Sequence, residues 1–146
     1  MTMTRCVGFA MQGKADGQEY AVKLYDNRTP QAVAAYFHEK ACLLGLKSCS
    51  SVVRVQMAGR LQDSLYPCIV TTLAGSPSKQ LCGSKRAAAS RALRALHTAG
   101  AAHGDVRLPN LLFSMHGVCQ LADLADCVLN ASSQAKKRDI QQLNRL

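Results

Sequence analysis

The sequence predicts an α+β domain, and three observations carry that reading. Short apolar runs of strand length dominate before residue 75. Helical spacing dominates after it. The breaks between runs are rich in Gly, Pro, Asn, Asp and Ser, the residues that turn a chain. In order, residues 5–12 (RCVGFAMQ) and 18–25 (QEYAVKLY) read as strands joined by a turn over 13–17, where two glycines and Asp16 accept positive φ. Thr29 and Pro30 suit the N-cap and first position of a helix over 31–46. Residues 52–57 and 67–72 form a second predicted strand pair, and 75–78 (GSPS) reads as a linker. Ser84 is placed to cap a helix ending at Gly100. The polar loop 103–110 follows, then strands over 111–114 and 118–121 turning at His116 and Gly117, and an acidic bend over 123–126. The tail 135–146 has helical spacing, with Ile140, Leu143 and Leu146 on one face.

The 146 residues are 48% apolar, which excludes a wholly disordered chain. No uncharged apolar run reaches the length of a membrane span, and the first residues lack a signal-peptide core. The expected protein is therefore soluble and cytoplasmic, with the nucleus also open. Lys and Arg outnumber Asp and Glu by 18 to 9, a net +9 that favours anionic partners. Yet the positive charges are dispersed apart from Lys136, Lys137 and Arg138, and no aromatics are interleaved as a single-strand groove requires. Nucleic acid is not the expected partner, and a basic nucleic-acid-binding module stands as the alternative from another class. Seven cysteines, an odd number without a C-x-x-C pair, read as free thiols.

Candidate chemistry begins with Lys23, which shares a strand face with Ala21 and Tyr25. Alone it reads first as an edge or snorkelling residue. Glu39 says more, because Ala32, Ala35, Tyr36, Cys42, Leu43 and Leu46 surround it on a helix turning 100° per residue. A carboxylate in an apolar stripe needs a cation, and Lys23 is the natural one. Val33, Phe37 and Leu44 offer a second apolar face, so the buried side is open at this point. In the loop, Asp105 and Asn110 lie five apart, and a single hairpin brings Asn110 toward Asp123. Singly these are ordinary turn residues. Together, an amide oxygen and a carboxylate suit a hard ion such as Mg²⁺.

The order of strand lysine, helix glutamate, strands, helix, H-x-D-x-x-x-x-N, hairpin and aspartate resembles the protein-kinase fold family. YAVK is similar to the family's V-A-I-K strand, which implies that Lys23 binds phosphates and Ala21 faces adenine. EKACLLGL resembles the helix that carries the lysine's partner, here Glu39. CIVTTLAG resembles the strand entering the hinge, which puts Thr71 near the gatekeeper and Thr72, Leu73 and Ala74 along the adenine edge. In HGDVRLPNLLF the resemblance makes Asp105 the catalytic base, Arg107 the cation beside the transferred phosphoryl, and Asn110 a metal ligand. Asp123-Leu124-Ala125 stands for D-F-G, with Asp123 the second metal ligand, and RDIQQLNRL places Asp139 as a buried aspartate.

The resemblance implies an incomplete two-lobed kinase-like fold, with residues 5–74 as small lobe and hinge and 75–146 as the beginning of the large lobe. It implies ATP and Mg²⁺ as ligands, and transfer of the γ-phosphoryl to a hydroxyl of a protein, Ser/Thr first, or of a small molecule. Several features depart from the family pattern. The 146 residues hold no G-x-G-x-x-G, and glycine replaces the arginine of H-R-D. Leu124 and Ala125 replace the aromatic and glycine of D-F-G, and only residues 127–138 separate Asp126 from Asp139. The expectation is weak nucleotide binding and slow turnover, with a pseudokinase or nucleotide-binding scaffold as the alternative.

Overall fold

The first hairpin is tighter than its glycines suggest. β1 (Gly8–Ala15) pairs antiparallel with β2 (Gln18–Tyr25) in unbroken register from Gly8 opposite Tyr25 to Ala15 opposite Gln18. Residues 13–15 thus extend the strand, and Gly17 takes the positive φ that closes the turn. The structure, a computed structural model, describes residues 8–15, 17–60, 66–73 and 75–146. Within them the chain is a small α+β domain of antiparallel sheets and three helices. The predicted start of the first strand at residues 5–7, and Asp16, lie outside the described residues.

α1 (Pro30–Gly45) begins as its sequence dictates, with the Thr29 side chain accepting from the Ala32 N–H and Pro30 in the first turn. It packs on the sheet formed by β1, β2, β4 (Pro67–Thr72) and β3 (Val55–Arg60), in that order. Of its two candidate faces, the stripe around Glu39 is buried, whereas Phe37 and Leu44 are exposed. β3 starts three residues later than expected. Val52 bridges in parallel to Leu121, and the Val53 N–H donates to the Leu121 carbonyl, so these two residues join the second sheet.

That second sheet runs β5 (Ser76–Pro77), β6 (Leu111–Phe113), β7 (Cys119–Leu121). Residues 76 and 77, expected in a linker, are therefore strand. α2 (Gly83–Thr98) buries Ala88, Ala89, Ala92, Leu93 and Leu96 and packs on β7 and on α3 (Ser133–Asn144). Its N-cap is Cys82 with no side-chain bond, so Ser84 is not the cap. α3 is capped by Ser132 accepting from the Ala135 N–H. Its inward face is turned by one residue from the expected one: Asp139 and Leu143 are buried and Ile140 is exposed. One apolar core runs from Tyr25 and Ile69 under α1 through Leu96 and Leu121 to Leu143. Among the described residues, no helix is long and apolar enough to cross a membrane.

Candidate functional site

β2 and α1 build the first part of the site. Alternation along β2 puts Lys23 and Tyr25 on the face that α1 covers. Glu39, 4% exposed, accepts at Oε2 from Lys23 Nζ at 2.7 Å and from the Tyr25 hydroxyl at 2.5 Å. Lys23 Nζ also donates to Asp123 Oδ1 at 2.8 Å. One ammonium thus joins a carboxylate of α1 to a carboxylate from the other half of the chain. Burial works against the charged lysine, but Glu39 and Asp123 outweigh it and hold its pKa above the ordinary value. Burial likewise opposes the Asp123 charge. The adjacent Lys23 and the Ala125 backbone N–H prevail and lower its pKa. Burial, then Glu39, pushes the Tyr25 phenol up, so it remains a donor at physiological pH. Asp123 sits at φ 59°, a left-handed conformation that aspartate tolerates better than bulkier residues.

The loop 103–110 builds the second part. His103 is fully buried; its Nε2 meets the Ala122 carbonyl at 2.9 Å, and its Nδ1 accepts from the Asp105 N–H at 3.3 Å. That pair of bonds requires the Nε2–H tautomer. Asp139, also fully buried, accepts from the backbone N–H groups of His103 (2.8 Å) and Gly104 (2.9 Å) and meets His97 Nε2 at 2.8 Å. One turn on, Gln142 Oε1 accepts from the Val106 N–H, and Gln142 Nε2 donates to the Gly104 carbonyl. α3 therefore holds the loop by its backbone. Gly104 has φ 84°, and a Cβ there would fall 2.3 Å from the Asp126 carbonyl oxygen. Backbone conformation and local packing together call for glycine at this position.

Asn110, buried, donates from Nδ2 to the Asp105 carbonyl (2.9 Å) and to Asp105 Oδ2 (3.0 Å). Its own carbonyl accepts from Ala122, the residue before Asp123. Arg107 Nε meets Asp105 Oδ2 at 2.8 Å on the exposed side. Lys23 thus contacts both Glu39 and Asp123, Asp105 contacts both Arg107 and Asn110, and the 122–123 backbone joins the two groups.

The residues of the expected adenine edge lie in and beside the first sheet. Ala21 and Thr71 are register partners in the sheet, and the Thr72 N–H donates to the Arg54 carbonyl. The Leu73 N–H donates to the Glu19 carbonyl, and the Leu73 carbonyl accepts from Gln18 Nε2. Ala74 lies outside the described residues. Sequence reasoning missed Tyr25, His97 and Gln142. Strand alternation places Tyr25 beside Lys23, and i, i+3 spacing places Gln142 beside Asp139.

Among the described residues, no group of three or more His, Cys, Asp or Glu side chains gathers as a metal cage. The donors present nonetheless fit Mg²⁺, which takes one or two carboxylates and fills its shell with phosphate and water oxygens. The Asn110 side-chain hydrogen bonds leave from Nδ2, so its Oδ1 would be the atom offered to such an ion, and the Asp123 carboxylate has lone pairs beyond those facing Lys23 and Ala125. The chain matches no protein-family model and no curated protein.

Proposed function

We propose that this chain is a protein kinase-like phosphotransferase that binds Mg·ATP between its two halves and passes the γ-phosphoryl to a hydroxyl, protein Ser/Thr being the first candidate. The observation that carries this reading is Lys23, held between Glu39 and Asp123 at 2.7 and 2.8 Å. A lysine so fixed offers a charge of defined position to the α- and β-phosphates. In this reading residues up to 74 form the small lobe and hinge, and 75–146 the beginning of the large lobe. Asn110 and Asp123 hold Mg²⁺, which when bound neutralises phosphate charge. Asp105 accepts the acceptor hydroxyl's proton as its oxygen attacks the γ-phosphorus and the bond to ADP breaks. Arg107 turns from Asp105 toward the transferred group. Ala21, Thr71, Thr72 and Leu73 line the adenine side, with the Leu73 backbone contributing packing because its polar groups are already bonded.

A second reading, nucleotide binding without transfer, is favoured by one feature. Asp105 Oδ2 already accepts from both Arg107 and Asn110, so the oxygen a substrate hydroxyl would approach is occupied. Transfer from γ-labelled ATP to Ser/Thr peptides separates the readings. Slow transfer is expected in the wild type, falling about 100-fold or more in Asp105→Asn. Transfer that Asp105→Asn leaves unchanged would remove Asp105 from the mechanism, and nucleotide binding with no transfer in either protein would establish the second reading.

A further inference from the structure

We propose that Cys42 and Cys127 are a peroxide-oxidisable dithiol that closes to a disulfide, tying α1 to the segment that follows Asp123. Cys42 lies one turn after Glu39 on α1, and Cys127 lies four residues beyond Asp123. Cys42 Sγ donates to the Cys127 carbonyl oxygen at 3.6 Å, which sets the two cysteines side by side between α1 and the segment after Asp123. His38, one turn earlier on the same helix, brings Nε2 within 2.9 Å of that carbonyl and 3.7 Å of Cys42 Sγ. The disposition suits a reactive thiol and its resolving partner. The Cys127 side chain chiefly, with His38 helping and burial and Glu39 opposing, brings the Cys42 thiol down to about 7. Cys127 is pushed up by the Cys42 side chain and by burial, and so keeps its proton until Cys42 has reacted. Burial pushes Cys119 up to about 12, so burial alone gives an inert thiol.

The chemistry balances with peroxide as oxidant. The Cys42 thiolate attacks one oxygen; an S–O bond forms, the O–O bond breaks, and the hydroxide leaves as water after protonation. Cys127 sulfur then attacks the sulfenic sulfur; the S–S bond forms, the S–O bond breaks, and the second water leaves with the Cys127 proton. Two thiols and one peroxide give one disulfide and two waters. At 2% and 0% exposure the pair excludes bulky oxidants, and the exposed His38 marks the side from which a peroxide enters.

Hydrogen peroxide added to the full folded chain, followed by non-reducing peptide mapping, tests this. The expected product is a peptide pair linked through Cys42 and Cys127, two hydrogens lighter and restored by dithiothreitol, with the oxidised chain melting several degrees higher. In Cys127→Ser, oxidation should stop at a Cys42 sulfenic acid that dimedone traps. Should that variant not fold, dimedone competition in the wild type reads the same intermediate. Oxidation of exposed Cys82 while Cys42 and Cys127 remain thiols would overturn the proposal, as would a disulfide from Cys42 to another cysteine. These readouts need no nucleotide, so their failure leaves the phosphotransfer reading separate.

Discussion

Asp139→Ala is expected to cost about 4 kcal/mol of folding stability, a large share of the roughly 5–15 kcal/mol that holds a typical domain. The carboxylate is fully buried and answers the His103 and Gly104 backbone N–H groups and His97. Alanine supplies no acceptor. Each of the two backbone donors then bears a desolvation penalty of about 1–3 kcal/mol, and a small void is added. Asp139→Asn should cost less, about 2 kcal/mol, because its amide keeps one acceptor oxygen while its NH₂ opposes a donor. The urea midpoint by circular dichroism checks both values. An Asp139→Ala variant within about 1 kcal/mol of wild type would mean that the loop is not held through this residue.

Lys23→Met, which nearly preserves side-chain volume, is expected to cost about 3 kcal/mol. Removing the ammonium leaves Glu39 buried with only the Tyr25 hydroxyl, and a buried carboxylate stripped of its cation is among the costlier single changes. The contact to Asp123 adds little, because that side chain is 37% exposed. Adding Glu39→Leu should therefore recover most of the loss, less about 1 kcal/mol for the Tyr25 hydroxyl left without its acceptor. The pH dependence has a definite sign. The raised Lys23 pKa gives stability that is full below about 10.4 and is lost as pH rises through the folded value. The lowered Asp123 pKa gives stability that is full above about 3.9 and is lost as pH falls through the folded value. The gap between wild type and Lys23→Met should thus be flat near neutrality and narrow at both extremes. A double variant no more stable than Lys23→Met would contradict the pairing.

Much of the site was legible because each of its parts is a local pattern. A carboxylate in an apolar helical stripe had to meet a cation, and Lys23 was the nearest on the preceding strand. Thr29–Pro30 marked the start of α1, and the His116–Gly117 turn marked the hairpin that returns the chain toward Asn110. What was not legible depended on distant partners. Val52 and Val53 read as the start of β3, but the Leu121 backbone, far along the chain, draws them to the second sheet. Residues 76 and 77 looked like a linker because nothing nearby announces β6 as their partner. Ile140 was placed inward because apolar spacing ignores Asp139, whose burial only the family resemblance suggested and which is buried for its hydrogen bonds. The engaged Leu73 backbone likewise depends on Gln18 and Glu19 across the sheet.

In the proposed function Lys23, Asn110 and Asp123 form one Mg²⁺-dependent nucleotide site. Calorimetric titration of the full chain with ATP, with and without Mg²⁺, tests it most directly, in the wild type and in Asp123→Asn. The account predicts weak binding that strengthens about tenfold or more with Mg²⁺ in the wild type, and loses that dependence in Asp123→Asn. Binding of ATP by the folded wild type that is absent, or indifferent to both Mg²⁺ and Asp123, would contradict it.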